Sequence, residues 1–311
     1  DAIAAWPVGI SHLVHMAGHL YHRLGRYEDS IAVGLASMAS DAFLESKCLV
    51  PYVPLHNIAL MQSSALMVGQ SDLALKHADT LEDQPADYAE AFVGIFTLPA
   101  ELIHARFGMW DAILADAASQ EDSPKELRTP FAQGNWEYVL GLAHASKNDL
   151  AAAGRVLASL RQTAQVMSSG VLPKGHPFYG WHPEMGQIMV HTLEARLAVA
   201  GGHFGKAADQ LRAAIDINDQ FTYLEPEQWY LPLRQCLGAV LLDSGDRAGA
   251  KRVYEEDLAE HPLNGWSLLG LSLALAEDDA AQSEALRHQF DQVWTKSSHK
   301  INGSCCELGY C

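Results

Sequence analysis

The chain has 311 residues, enough for two ordinary domains or one long array of repeats. Apolar residues make up 49% of it, so burial is ample. The net charge of −17 argues against a nucleic-acid partner, because a phosphate-binding surface needs concentrated Lys and Arg. No run of about 18 apolar residues occurs, so no membrane-spanning helix is expected.

The chain opens on Asp1 and runs almost at once into a helical pattern, which reads as a processed or truncated product with further repeats upstream. Residues 11–41, SHLVHMAGHLYHRLGRYEDSIAVGLASMASD, predict two short helices joined at Gly25. On the first, Val14, Ala17, Gly18 and Tyr21 form one face. His12, His15, His19 and His22 stand at i, i+3, i+7 and i+10 and share a second stripe. After the linker PYVPL, a second pair turns at Gly69, and His56 lies early in its first helix, where it can face the histidine stripe.

A third pair is expected over 88–118, turning at 107–110, and a polar, proline-containing loop over 119–130. The fourth pair, 134–163, turns at Asn148-Asp149-Leu150. Residues 168–184, SSGVLPKGHPFYGWHPE, read as a long loop, in which His176 and His182 flank the aromatics Phe178, Tyr179 and Trp181 as a candidate lid. The fifth pair spans 184–218 and turns at 201–204. The connection Tyr223-Leu224-Glu225-Pro226-Glu227-Gln228-Trp229-Tyr230 precedes a sixth pair, 231–262, turning at Gly245. The seventh, 263–294, lacks a glycine turn, and its polar last helix reads as a cap. Residues 295–311 are expected to form a tail. With no alternating strand pattern, the chain is expected to be all-α.

A turn glycine followed five residues later by Ser or Ala recurs at 25/30, 69/74, 202/207 and 245/250. Together with Gly18, Tyr21 and the Gly25-Arg26-Tyr27 turn, this spacing resembles the tetratricopeptide repeat, a helix pair of about 34 residues. The resemblance implies a right-handed superhelical solenoid of about seven hairpins over residues 1–294. It also implies that the histidine stripe lines the concave surface, where ligands of the family usually bind. The segments HLVHMAGHLYHRLGRY, YVPLHN, YLEPEQWYLPLR and HPLNGWSLLGL are similar to a bacterial subfamily of these proteins. Where that subfamily reads His-Met-Pro-x-His, Ala17 replaces the proline here, so a smoother first helix is expected.

Two sets of site candidates follow. The groove set is His12, His15, His19, His22, Tyr223, Glu225, Trp229 and Arg234, because Trp, Tyr and Arg carry much binding energy at interfaces. The metal set is His12, His15, His19 and His56, since neutral imidazole is a common ligand of zinc and copper. The bland alternatives are histidines that line a groove or sit in water, and a 223–234 connection buried by its own aromatics with Glu225 paired to Arg234. Cys48 and Cys236 read as buried thiols. Cys305, Cys306 and Cys311 read as disulfide formers, with Cys311 bridging one of the other two, or as a weak chelating set. An oxidised tail would place the protein in a periplasmic or secreted setting, and a reduced one in the cytoplasm. No HExxH, Gly-x-Ser-x-Gly, phosphate-cradling glycine loop or CxxC occurs, so a binding protein is favoured over an enzyme. The leading reading is a scaffold presenting the groove to a peptide or protein partner. The alternatives are a zinc or copper protein, and an assembly subunit that self-associates through its repeats or its cysteine tail.

Overall fold

In the computed structural model, residues 11–52, 54–78, 98–119, 129–169, 182–221 and 223–311 are described. Among them the fold is all-α, with fourteen α-helices and no strand. The helices are α1 (Ser11–Arg23), α2 (Tyr27–Ser46), α3 (Pro54–Met67), α4 (Ser71–Lys76), α5 (Ala100–Arg106), α6 (Trp110–Ser119) and α7 (Pro130–Ser146). They continue with α8 (Leu150–Ser168), α9 (His182–Ala200), α10 (Phe204–Asn218), α11 (Leu233–Asp243), α12 (Arg247–Glu260), α13 (Gly265–Leu275) and α14 (Ala280–Val293). The expected lid loop falls almost wholly outside the described residues, as do the start of the third pair and most of 119–130.

The turns lie where the spacing put them. Gly25, Gly69, Gly108, Gly202 and Gly245 all take positive φ, and Asn148 takes the corresponding place between α7 and α8 with φ 63°. Only residues that tolerate the left-handed region can end a helix so tightly. Five helices begin on a side-chain cap: Thr129, Asp149, Asp246, Asn264 and Asp279 each accept a backbone N–H of the first turn. α1 runs unbroken through Ala17, as expected without the proline.

Within each described pair the two helices pack together, and first helices also touch across pairs, α1 on α3, α7 on α9 and α11 on α13. Gly18 brings α1 close to Ser30 and Val33 of α2 and to Leu60 of α3. Val14, Ala17 and Tyr21 form a small apolar cluster with Val33, as the spacing implied. Buried hydrogen bonds stitch α3 to this pair. Ser64 Oγ meets Ser30 Oγ and His22 Nδ1, both at 2.9 Å, and Asn57 Nδ2 donates to Asp41 Oδ2 at 2.6 Å.

The first pairs and the last pairs pack against each other, which an open array would not do. Trp266 Nε1 on α13 donates to the Leu66 carbonyl at 2.9 Å, and Ser297 Oγ donates to the Gly69 carbonyl at 2.7 Å. Lys296 pairs with Glu28, and Gly25 lies against Pro262. Arg106, wholly buried, lies 4.2 Å over the Trp266 ring and donates from Nη2 to Gln235 Oε1.

Three expectations are corrected. Residues 295–311 are not a loose tail, because Ile301, Ser304, Cys305, Cys306, Glu307 and Leu308 are buried and a short 3-10 turn spans Cys306–Leu308. Cys236 is buried but bridged to Cys305, and Cys306 is bridged to Cys311, so each tail cysteine is consumed within the chain. Cys48, expected to be buried, is an exposed free thiol in the turn after α2.

Candidate metal centre

α1 places His15 and His19 one turn apart on a single face, and α3 brings His56 to them from its first turn. The three rings converge. His15 Nε2 lies 2.8 Å from His19 Nε2, and His56 Nε2 lies 3.2 Å from the same atom. One nitrogen from each ring falls within 4.8 Å of the other two. Four-coordinate zinc with nitrogens at about 2.0–2.1 Å needs them about 3.3 Å apart, so the two separations to His19 are already near ligand spacing.

The second nitrogen of His19 is also engaged. Its Nδ1–H donates to Glu225 Oε2 at 2.9 Å, across 206 residues of chain. With its proton on Nδ1, a neutral ring presents a bare Nε2 lone pair toward His15 and His56. A carboxylate behind a ligating histidine is the usual outer partner of a metal-bound imidazole, fixing its tautomer and its orientation. Glu225 is in turn held by Tyr223, whose hydroxyl donates to Oε1 at 2.5 Å, and by Arg23 Nε at 3.5 Å. Burial alone would raise the Glu225 pKa, but the hydrogen bonds from His19 and Tyr223, with the charges of His19 and His22, hold it below the usual value.

Two of the three imidazoles, His15 and His56, are held neutral. Burial, reinforced by the neighbouring rings, lowers the pKa of His15 to about 2 and that of His56 to about 3. His15 is wholly buried, and among the described residues its Nδ1 has no hydrogen-bond partner. Neutral rings with available lone pairs are the state a metal ion requires.

Of the four predicted ligands, three converge. His12 stands at the edge, stacked on His15 with ring centroids 5.4 Å apart and edge-on to the exposed Tyr52 at 5.0 Å. Its ring centroid is 6.1 Å from that of His56, outside the three-nitrogen set.

The groove set does not form one surface. His15 and His22 are buried, and His22 Nδ1 is taken by Ser64. The face assigned to the histidine stripe is therefore covered by α3 over much of its length. Trp229 is buried against Tyr138 and Tyr230. Arg234 pairs with Asp219, Glu256 and Glu260, and Glu225 pairs with His19, so the Glu225–Arg234 pair of the alternative reading does not form. Tyr223 remains exposed, beside Arg23 at the edge of a cavity of about 310 Å³.

The sequence reading missed Glu225 as a partner of the histidines, and it missed Arg23, Glu227 and His261 altogether. Glu227 Oε1 lies 2.9 Å from His261 Nε2, and His261 Nδ1 lies 3.1 Å from Asp257 Oδ1. The one signal available was Glu225-Pro226-Glu227 itself, two carboxylates flanking a proline in a short non-helical stretch.

No family model and no curated protein matches the chain.

Proposed function

We propose that the protein binds a divalent transition-metal ion, zinc or copper, through His15, His19 and His56, with Glu225 as the outer carboxylate on His19. One observation carries this reading: three imidazole nitrogens converge within 4.8 Å while the far nitrogen of the central ring rests on a carboxylate. An all-imidazole set of borderline softness suits zinc and copper better than magnesium or calcium, which take oxygen ligands. Three protein nitrogens would leave a position on a four-coordinate ion for water or an external donor.

The reading as a peptide-binding scaffold has less support, because Trp229, Glu225 and Arg234 are committed to partners within the chain. The order of helix pairs and their glycine turns supports an array of tetratricopeptide-like hairpins with its ends drawn together. Two intrachain disulfides fit a periplasmic or secreted setting.

Equilibrium dialysis against zinc or copper, followed by metal analysis, tests the site. One ion per chain is expected, lost in the His15→Ala, His19→Ala double variant. A chain that retains no metal, or a double variant that retains as much as the unaltered protein, removes the reading.

A further inference from the structure

The candidate ligands belong to the first two helix pairs, but the carboxylate behind them belongs to the connection between α10 and α11. That connection holds both sides of the molecule at once. Glu225 reaches α1, where it accepts from His19 Nδ1 and pairs with Arg23. Tyr223 lies beneath the Arg23 guanidinium at 5.5 Å. Two residues further on, Glu227 bonds His261 at the end of α12. His261 passes the link to Asp257, which also accepts from Asn264 and Ser267 at the start of α13. A polar chain therefore runs from His19 through Glu225 and Glu227 to the helices that close against the first pairs.

We propose that the bound ion acts as a latch, tightening the 223–230 connection onto α1 through the His19–Glu225 hydrogen bond and so fastening the two ends of the array to each other. The proposal rests on the metal reading above. The physical reason is local. An imidazole that gives its Nε2 lone pair to a cation becomes a stronger Nδ1–H donor, so its bond to a carboxylate strengthens. Coupling of this kind is reciprocal: whatever factor the ion adds to docking of the connection, docking adds to affinity for the ion. Arg23 and Tyr223 hold the opposite oxygen of the same carboxylate, which keeps Oε2 aimed at His19. Glu225 is thus a positioning residue, acting on the ion through His19.

Hydrogen exchange of the full chain, with and without saturating zinc sulfate, reads the latch directly. Zinc should slow amide exchange in 223–230 as well as in α1. Glu225→Gln keeps the shape of the side chain but removes its charge. It should bind zinc about 10- to 100-fold more weakly, and at saturation it should protect α1 without protecting 223–230. Tyr223→Phe, at an exposed position, should give a smaller loss in the same direction. Stoichiometric zinc with unchanged exchange in 223–230 overturns the latch and leaves the metal site standing. So does a Glu225→Gln variant that binds zinc as tightly as the unaltered chain. If zinc fails to bind the unaltered protein, the metal reading falls first and the latch with it.

Discussion

His15 shows how burial shapes the chemistry of the site. The ring is wholly enclosed, and its pKa is lowered to about 2 by loss of solvent and by the rings of His56, His19 and His12. His56 follows at about 3 and His22 at about 4, each lowered chiefly by burial. An unfolded histidine titrates near 6.5. Below that pH the unfolded chain takes up protons that these folded rings refuse, so stability falls as pH falls from 6.5 toward the folded values. Each such group contributes a slope of about 1.4 kcal/mol per pH unit. His261 has the opposite sign: burial lowers its pKa, but Asp257 and Glu227 raise it well above the ordinary value. Its contribution is complete below 6.5 and is lost as pH rises through the folded value. Urea unfolding of the metal-free protein should therefore show stability declining between pH 6.5 and 5, with a shallower decline in His15→Ala. A flat profile over that window would contradict the placement of these rings.

At the scale of elements, the turns separate local geometry from closure. Gly25 and Gly245 both hold positive φ, 71° and 87°. A side chain at Gly245 meets nothing within 4 Å, whereas one at Gly25 meets the backbone of Pro262. Gly245→Ala should cost only the conformational strain, about 1–2 kcal/mol. Gly25→Ala should cost clearly more, because it also pushes the first pair away from the end of α12. Equal losses in chemical denaturation would mean that the contact between the ends adds nothing. The turns themselves were legible in the sequence, because a tight helix reversal demands residues that accept positive φ, and Gly25, Gly69, Gly108, Asn148, Gly202 and Gly245 announce it. The apolar spacing of Val14, Ala17, Gly18 and Tyr21 identified the buried face of α1 for a similar reason. Beyond His56, what surrounds the histidine stripe was not legible. Helical periodicity tells which residues share a face, and says nothing of what covers that face, here α3 through Ser64.

Across the whole molecule, the candidate centre exists because distant segments come together. His15 and His19 share one helix and were found by spacing alone, and His56 by its place early in the next pair. Glu225 stands 206 residues from His19, and its partnership depends on the closure made by Trp266, Ser297 and Lys296. No local pattern encodes that closure. The C-terminal segment likewise read as a tail because its polarity and its cysteines resemble one, yet the Cys236–Cys305 bridge joins it to α11 and Glu307 sits buried 3.9 Å from Arg106. X-ray absorption spectroscopy at the zinc edge of the metal-loaded full chain tests the central claim most directly. Three imidazole nitrogens at about 2.0–2.1 Å are predicted in the first shell, with one imidazole contribution lost on His56→Ala. A shell dominated by oxygen or sulfur, or one unchanged by His56→Ala, would contradict the account.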